Sequence, residues 1–146
     1  MEIVKITEEN YAQLEDLVFW RQNGRERAPT AQPPSPAVVQ ALADPDLALY
    51  AAREDGRLVG WISLLYQPKV HKWQGRGHIY VDELWVQPEY RRRGVAKALM
   101  QLADQMAASR NAHGVRLYVN VENPGAKALY EGCGYHPSGQ AYFMEK

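Results

Sequence analysis

Residues 79–122 pass from strand period to helix period and back to strand period, and that succession limits the possible folds more than any other feature of the chain. In HIYVDELWV, Ile79 and Val81 share one face by alternation, whereas Leu84 and Val86 have the opposite parity, so the apolar face changes sides between them. One extra residue at Asp82-Glu83, a β-bulge, would return all four to one side. A strand buried on both faces, as in the middle of a mixed sheet, accommodates the same letters. After the turn QPEYRRRG, Val95, Leu99, Leu102 and Met106 recur at helical spacing and predict an amphipathic helix to about Arg110. GVRLYVNVE (114–122) then alternates, with Val115, Leu117, Val119 and Val121 inward.

The flanking segments complete the pattern. EIVKI (2–6) reads as a short strand, Thr7 as the N-cap of a helix to about Arg21, and Glu8 and Glu9 as favourable charges in its first turn. RQNGRERAPTAQPPSP reads as an exposed loop and as the most mobile part of the chain. Ser35-Pro36 has the cap-then-proline order of a second helix, which the Asp44-Pro45 step should stop. LALYAAR (47–53) and RLVGWISLLY (57–66) flank Asp55-Gly56 and predict a hairpin. QPKVHKWQGRGH (67–78) is a loop. Asn123-Pro124 caps a last helix that keeps Ala126, Leu129 and Cys133 in register and can end at Gly134, and GYHPSGQAYFMEK predicts a closing hairpin. Strand, helix, strand and helix behind an antiparallel hairpin imply an α/β fold, one mixed sheet with helices on its faces.

At 146 residues, the chain is expected to form one domain, residues 1–146. Lys plus Arg equals Asp plus Glu at 17 each, so no overall field argues for nucleic acid or an anionic membrane, and any basic site is local. The acidic, periodic N-terminus is unlike a secretion signal and no apolar run suits a bilayer, so the expected location is the cytoplasm. Cys133 is the only cysteine, and His71, His78, His113 and His136 have no ligand spacing, so no metal site is expected.

Arg91-Arg92-Arg93-Gly94 lies where a strand hands over to a helix. Unpaired backbone N–H groups there point outward with the positive end of the helix dipole, which is an anion site. Gly94 permits close approach of a phosphate, small Ala96 keeps the next position clear, and arginine adds charge-assisted bonds. The same residues also fit a merely solvated basic helix start. A P-loop is excluded because no Gly-Lys-Ser/Thr follows.

Beyond these physical readings, the sequence resembles the Gcn5-related N-acetyltransferase (GNAT) superfamily. Its Gln/Arg-x-x-Gly-x-Gly/Ala signature is matched by Arg91, Gly94 and Ala96, its Val-x-Pro-Glu-Tyr-Arg lead-in by residues 86–91, and its Asn-x-x-Ala-x-x-Leu-Tyr-x-x-x-Gly-Phe block by Asn123, Ala126, Leu129, Tyr130, Gly134 and Tyr135. Arg92 stands where glycine is frequent, and Ala96 where glycine is commoner. The resemblance covers residues 46–146 well and the first 45 by helix order alone. It implies a largely antiparallel central sheet with helices on both faces and two splayed parallel strands.

The resemblance further implies that the turn through Arg91, Arg92, Arg93, Gly94, Val95, Ala96 and Lys97 wraps the pyrophosphate of acetyl-coenzyme A. The pantetheine arm would lie between the splayed strands, against the backbone of Leu84, Trp85 and Val86 and the Asn123–Ala126 segment, with Tyr130 as general acid. The implied activity is transfer of an acetyl group to a primary amine of a small molecule or peptide, by direct attack through a tetrahedral intermediate.

An alkyl amine is mostly protonated at neutral pH, so a base must take its proton. Glu83, or else Asp82, is placed for this at the cleft, and either equally reads as a carboxylate that pairs with a nearby cation. His71 or His78 is a further candidate base. Oxyanion stabilisation would fall to backbone N–H groups near Leu84 to Val86. A phenol with a reference pKa near ~10 can donate to a departing thiolate near ~8.5 at small cost, which suits Tyr130; a Tyr130 bonded to backbone is the plainer reading. A catalytically weak acyl-coenzyme A sensor is the competing function, and an RNA-binding module is disfavoured by neutral charge. The acceptor's identity and a homodimer stay open. Lys69, Lys72 and Arg76 weigh against a polycation, while Asp82 and Glu83 pull the other way.

Overall fold

The computed structural model describes residues 1–146. One five-stranded sheet runs in chain order: β1 (Glu2–Lys5), β2 (Leu47–Glu54), β3 (Arg57–Gln67), β4 (His78–Val86) and β5 (Val115–Leu117). The first four strands pair antiparallel and β5 pairs with β4 in parallel, so the sheet is mixed as the sequence predicts. Four α-helices flank it: α1 (Tyr11–Asn23), α2 (Pro36–Leu42), α3 (Val95–Ser109) and α4 (Pro124–Gly132).

Strand pairing resolves the parity change in β4. Ser63 faces Glu83 and Leu64 faces Val81, so Asp82 has no partner across the ladder and is the bulged residue. Ile79, Val81, Leu84 and Val86 consequently pack on one side with Ile62, Leu64 and the α3 residues Leu99, Met100 and Ala103. Glu83 and Trp85 turn to the opposite face, where Trp61, Ala51 and Ile6 pack with Leu14 and Leu17 of α1. Two apolar clusters on either side of one sheet are the reason helices cover both faces.

Local signals explain several boundaries. Ser35 Oγ accepts from Val38 N at the start of α2, and Asn123 Oδ1 accepts from Ala126 N at 3.0 Å at the start of α4. The α1 start differs from the sequence reading. Thr7 does not cap it: Asn10 folds back, its Oδ1 accepting from Thr7 N at 2.8 Å and its Nδ2 donating to Lys5 O at 2.9 Å. Glu8 and Glu9 are spent in that turn, and no acidic residue lies in the first turn of the helix. The helix also runs past Arg21 to Asn23, where Gly24 at φ +70 donates to Trp20 O. The loop after it is tied down, because Asp16 accepts from Arg27 Nε, Thr30 N and Thr30 Oγ1.

Two expectations are overturned. The strand foreseen over 114–122 forms ladder only at Val115–Leu117, and Val121 is exposed rather than inward. The closing hairpin is absent: residues 135–146 form no strand, and Tyr142, Phe143 and Met144 are exposed. In both segments alternation is present in the letters, but no neighbouring strand supplies hydrogen bonds to fix it. No helix is long and apolar enough to cross a membrane.

Candidate active site

The parallel pairing of β4 and β5 covers Ile79–Val81 against Val115–Leu117 and stops there, at the bulge. Beyond Val81, the β4 edge that faced β5 has no strand partner, so the main-chain groups of Leu84 and Val86 are available on that side, whereas those of Trp85, which sequence reasoning placed with them, turn to Trp61 of β3 because successive strand residues face opposite edges. One of them is engaged: Arg91 Nε donates to Val86 O at 2.8 Å, and the guanidinium lies over the Trp85 ring at 5.9 Å. Arg91 thus braces the turn as well as charging it. Arg93 covers the Tyr90 ring at 5.1 Å.

The turn itself is built from two left-handed residues, Arg92 at φ +63 and Gly94 at φ +82. Gly94 is the N-cap of α3 and offers no side-chain acceptor, and a Cβ placed on it meets nothing within 4 Å. The first α3 amide with a main-chain partner is that of Ala98, which donates to Gly94 O at 3.0 Å; those from Arg92 through Lys97 donate to no main-chain acceptor. Bare amides at the positive end of a helix dipole, with open space above them and the side chains of Arg92, Arg93 and Lys97 on the rim, fit the phosphates of a coenzyme. The left-handed Arg92 also explains why glycine suits that position.

At the bulge the two carboxylates are treated differently. Glu83 Oε2 accepts from Trp61 Nε1 at 2.9 Å and lies 3.6 Å from Arg21 Nη1, with the Arg21 guanidinium 5.5 Å over the Trp61 ring. Trp61 in turn packs at 5.4 Å against Trp85, its neighbour across the strands. Asp82 has no such partner. Its partial burial, with the Glu83 charge second, raises its pKa above the ordinary carboxylate value. A base that is easier to protonate, beside one held by an indole and a guanidinium, is an asymmetric pair.

Tyr130, with Leu129 before it, lies on the half-buried side of α4 and packs against the α3-side core and, edge on, against Tyr135 at 6.3 Å. Burial raises the Tyr130 phenol pKa, with a smaller push from Cys133, and burial foremost takes Tyr135 up to about 12. Both phenols therefore keep their protons at neutral pH. Asn123 and Ala126 sit at the start of the same helix, joined by the capping bond.

His78 does not belong to this site. It is buried in the first position of β4, its Nε2 2.6 Å from Gln67 Oε1, under Trp73 at 5.8 Å. Asp82 is four residue steps further along the strand, about 13 Å of chain. Burial first, then the charges of Arg116, Lys69 and His113, lowers its pKa and keeps it neutral. His71 is exposed in the 67–78 loop. Trp61 and Arg21 are the residues that sequence reasoning missed as neighbours of Glu83. Trp85 shares a face with Glu83 by spacing alone, but Trp61 is brought there by the register of two strands and Arg21 by the packing of a helix.

Comparison with known proteins agrees with this architecture. The sequence profile of the Acetyltransferase (GNAT) family matches residues 9–135. A mycothiol acetyltransferase of Paenarthrobacter aurescens (strain TC1) is 34% identical over 96 residues, covering 63% of this chain and 28% of that protein. An uncharacterized N-acetyltransferase of Mycobacterium tuberculosis (strain ATCC 25618 / H37Rv) is 33% identical over 105 residues, covering 70% of this chain and 61% of that one. The chain therefore spans less than two thirds of the length of either relative. The solved structure of an aminoglycoside N-acetyltransferase in complex with CoA superposes with a TM-score of 0.77 at 18% identity, over 99% of this chain and 98% of that one. With a profile match over residues 9–135, most of its length, this chain belongs to the acetyltransferase (GNAT) family.

Proposed function

We propose that the protein transfers an acetyl group from acetyl-coenzyme A to a primary amine of a small molecule or peptide. The observation that carries this reading is the run of unpartnered amides from Arg92 through Lys97 around Gly94, next to a β4 edge freed at a bulge that bears two carboxylates. The relatives named for mycothiol and for aminoglycosides, and the CoA in the latter's complex, support a coenzyme A thioester as donor and a small-molecule acceptor.

The bound thioester would supply an activated acetyl group, and this chain's residues divide the rest of the work. Amides of the turn hold the phosphates, with Arg92, Arg93 and Lys97 adding charge. Backbone N–H groups of Leu84 and Val86, on the open edge of β4, orient the acyl end and stabilise negative charge on its carbonyl oxygen. Asp82, whose proton affinity is raised by burial, takes the amine proton directly or through water, while Glu83 holds and orients the ammonium. Tyr130 keeps its proton at neutral pH and gives it to the departing sulfur in a concerted step.

The test is release of free coenzyme A thiol from acetyl-coenzyme A over a chemically diverse amine panel, alongside calorimetric titration with coenzyme A. Binding together with amine-dependent release is expected. Tight binding without release for any amine would favour an acyl-coenzyme A sensor, and no binding would refute the reading at its root.

A further inference from the structure

Arg21 lies in the last turn of α1 and reaches over the sheet to the mouth of the site. Its approach to Glu83 is 3.6 Å, longer than a hydrogen bond, and the oxygen it faces already accepts from the Trp61 indole at 2.9 Å. The guanidinium is therefore held by charge and by the Trp61 ring, while its N–H groups donate to no protein acceptor. Three other arginines that pack against the fold are committed. Arg27 Nε donates to Asp16 at 2.8 Å, Arg110 Nη2 to Asp46 at 2.7 Å and Arg91 Nε to Val86 O at 2.8 Å. Arg21 and Glu83 are each close to half exposed, so their ion pair stabilises the fold by little and is easily reorganised around a ligand.

A cation fixed beside the carboxylates that would receive an amine is unfavourable for a plain or multiply charged amine, because the second positive charge is repelled. It is favourable for one class of acceptor: an amine whose own carbon carries a carboxylate. Such a zwitterion matches the pair charge for charge, its ammonium toward Asp82 and Glu83 and its carboxylate on the planar fork of Arg21. Half-buried Trp85, backed by the buried Trp61 ring at 5.4 Å, gives an apolar surface beside it.

Resting on the function proposed above, we infer that Arg21 is a specificity-determining residue that selects free α-amino acids as acetyl acceptors over plain amines and over peptide N-termini.

The experiment compares the standard L-amino acids with their C-terminal amides and decarboxylated amines. It reads thiol release from acetyl-coenzyme A and, in parallel, calorimetric binding to the protein saturated with coenzyme A. At least one amino acid should exceed its amide and its amine by about tenfold or more in kcat/KM, as expected for a charge-assisted bidentate contact. Arg21→Ala should erase that preference through KM with kcat little changed, and Arg21→Lys should restore part of it. Amides or amines accepted as well as every amino acid would overturn the inference. So would an Arg21→Ala variant that loses all acceptors equally, as a structural residue would, or one that gains activity on plain amines beyond the wild type, as a place-holder for the ammonium would. If no acceptor gives turnover, Arg21-dependent amino-acid binding upholds the assignment of Arg21 and defeats the transferase reading alone, whereas no amino-acid binding overturns Arg21's role.

Discussion

Substitution of Gly94 separates what the turn does for the fold from what it does for a ligand. Gly94 lies at φ +82, and a Cβ placed there meets nothing within 4 Å. An alanine therefore adds no clash. It adds the left-handed backbone strain of an L-residue, roughly 1–2 kcal/mol, offset by about 0.4–1 kcal/mol from a less flexible unfolded chain. A net loss near ~1 kcal/mol lowers the Tm of a domain this size by about 3 °C. Gly94→Glu carries a similar backbone cost and brings a carboxylate toward the amides. At ~5 Å from a phosphate and an effective dielectric of ~20, that charge repels by about 3 kcal/mol, roughly a hundredfold in Kd. Calorimetric titration with coenzyme A at low and moderate salt measures the difference, and the penalty in the Glu variant should shrink as salt screens it. A Gly94→Glu protein that melts within a few degrees of the wild type and binds coenzyme A with unchanged affinity would refute the cradle.

Other outcomes follow from single residues. Tyr130→Phe should lower turnover at least tenfold while leaving coenzyme A affinity within a factor of about two, because the ring packing survives and the proton does not; equal turnover under chemistry-limited conditions removes it from the mechanism. Arg92→Gly should raise stability by about 1 kcal/mol by relieving φ +63, yet weaken coenzyme A binding through the lost charge, a split visible by pairing melts with calorimetry. His78 is neutral and buried with its folded pKa below the unfolded value, so as pH falls below about 6.5 the unfolded chain gains a proton that the folded one resists. Stability should therefore drop toward acid until the lowered folded pKa is passed. His78→Gln, which cannot take the proton, should flatten that limb in urea midpoints between pH 7.5 and 5, and an unchanged limb would show that other groups govern it.

Where a structural device is encoded within a few residues, the sequence alone determined it. The Ser35-Pro36 and Asn123-Pro124 pairs located two helix starts, and the parity change across Asp82-Glu83 narrowed that strand to a bulge or burial on both faces, between which the register with β3 decided for the bulge. The strand–Arg–Gly–helix succession likewise located the turn with bare amides. Each depends on short-range sterics and on donors and acceptors of adjacent residues. Local chemistry also misled at the start of α1: Asn10 rather than Thr7 takes the N-cap position, though its side chain caps no helix amide and bonds instead to Thr7 N and Lys5 O.

Tertiary structure decided the remainder. The alternation of residues 118–122 and 141–144 reads as strand, but a strand exists only where a neighbour completes its ladder, and β5 ends with the pairing to Val81. Alternation also set Glu83 on the face of Trp85, but whether it is a free base could not be read from the letters. The bulged register brings the Trp61 indole to that carboxylate and the packing of α1 brings Arg21, from 22 and 62 residues away in sequence. Asp82 is left as the less compensated carboxylate by that same long-range arrangement, because charge compensation follows distance in space and not position along the chain.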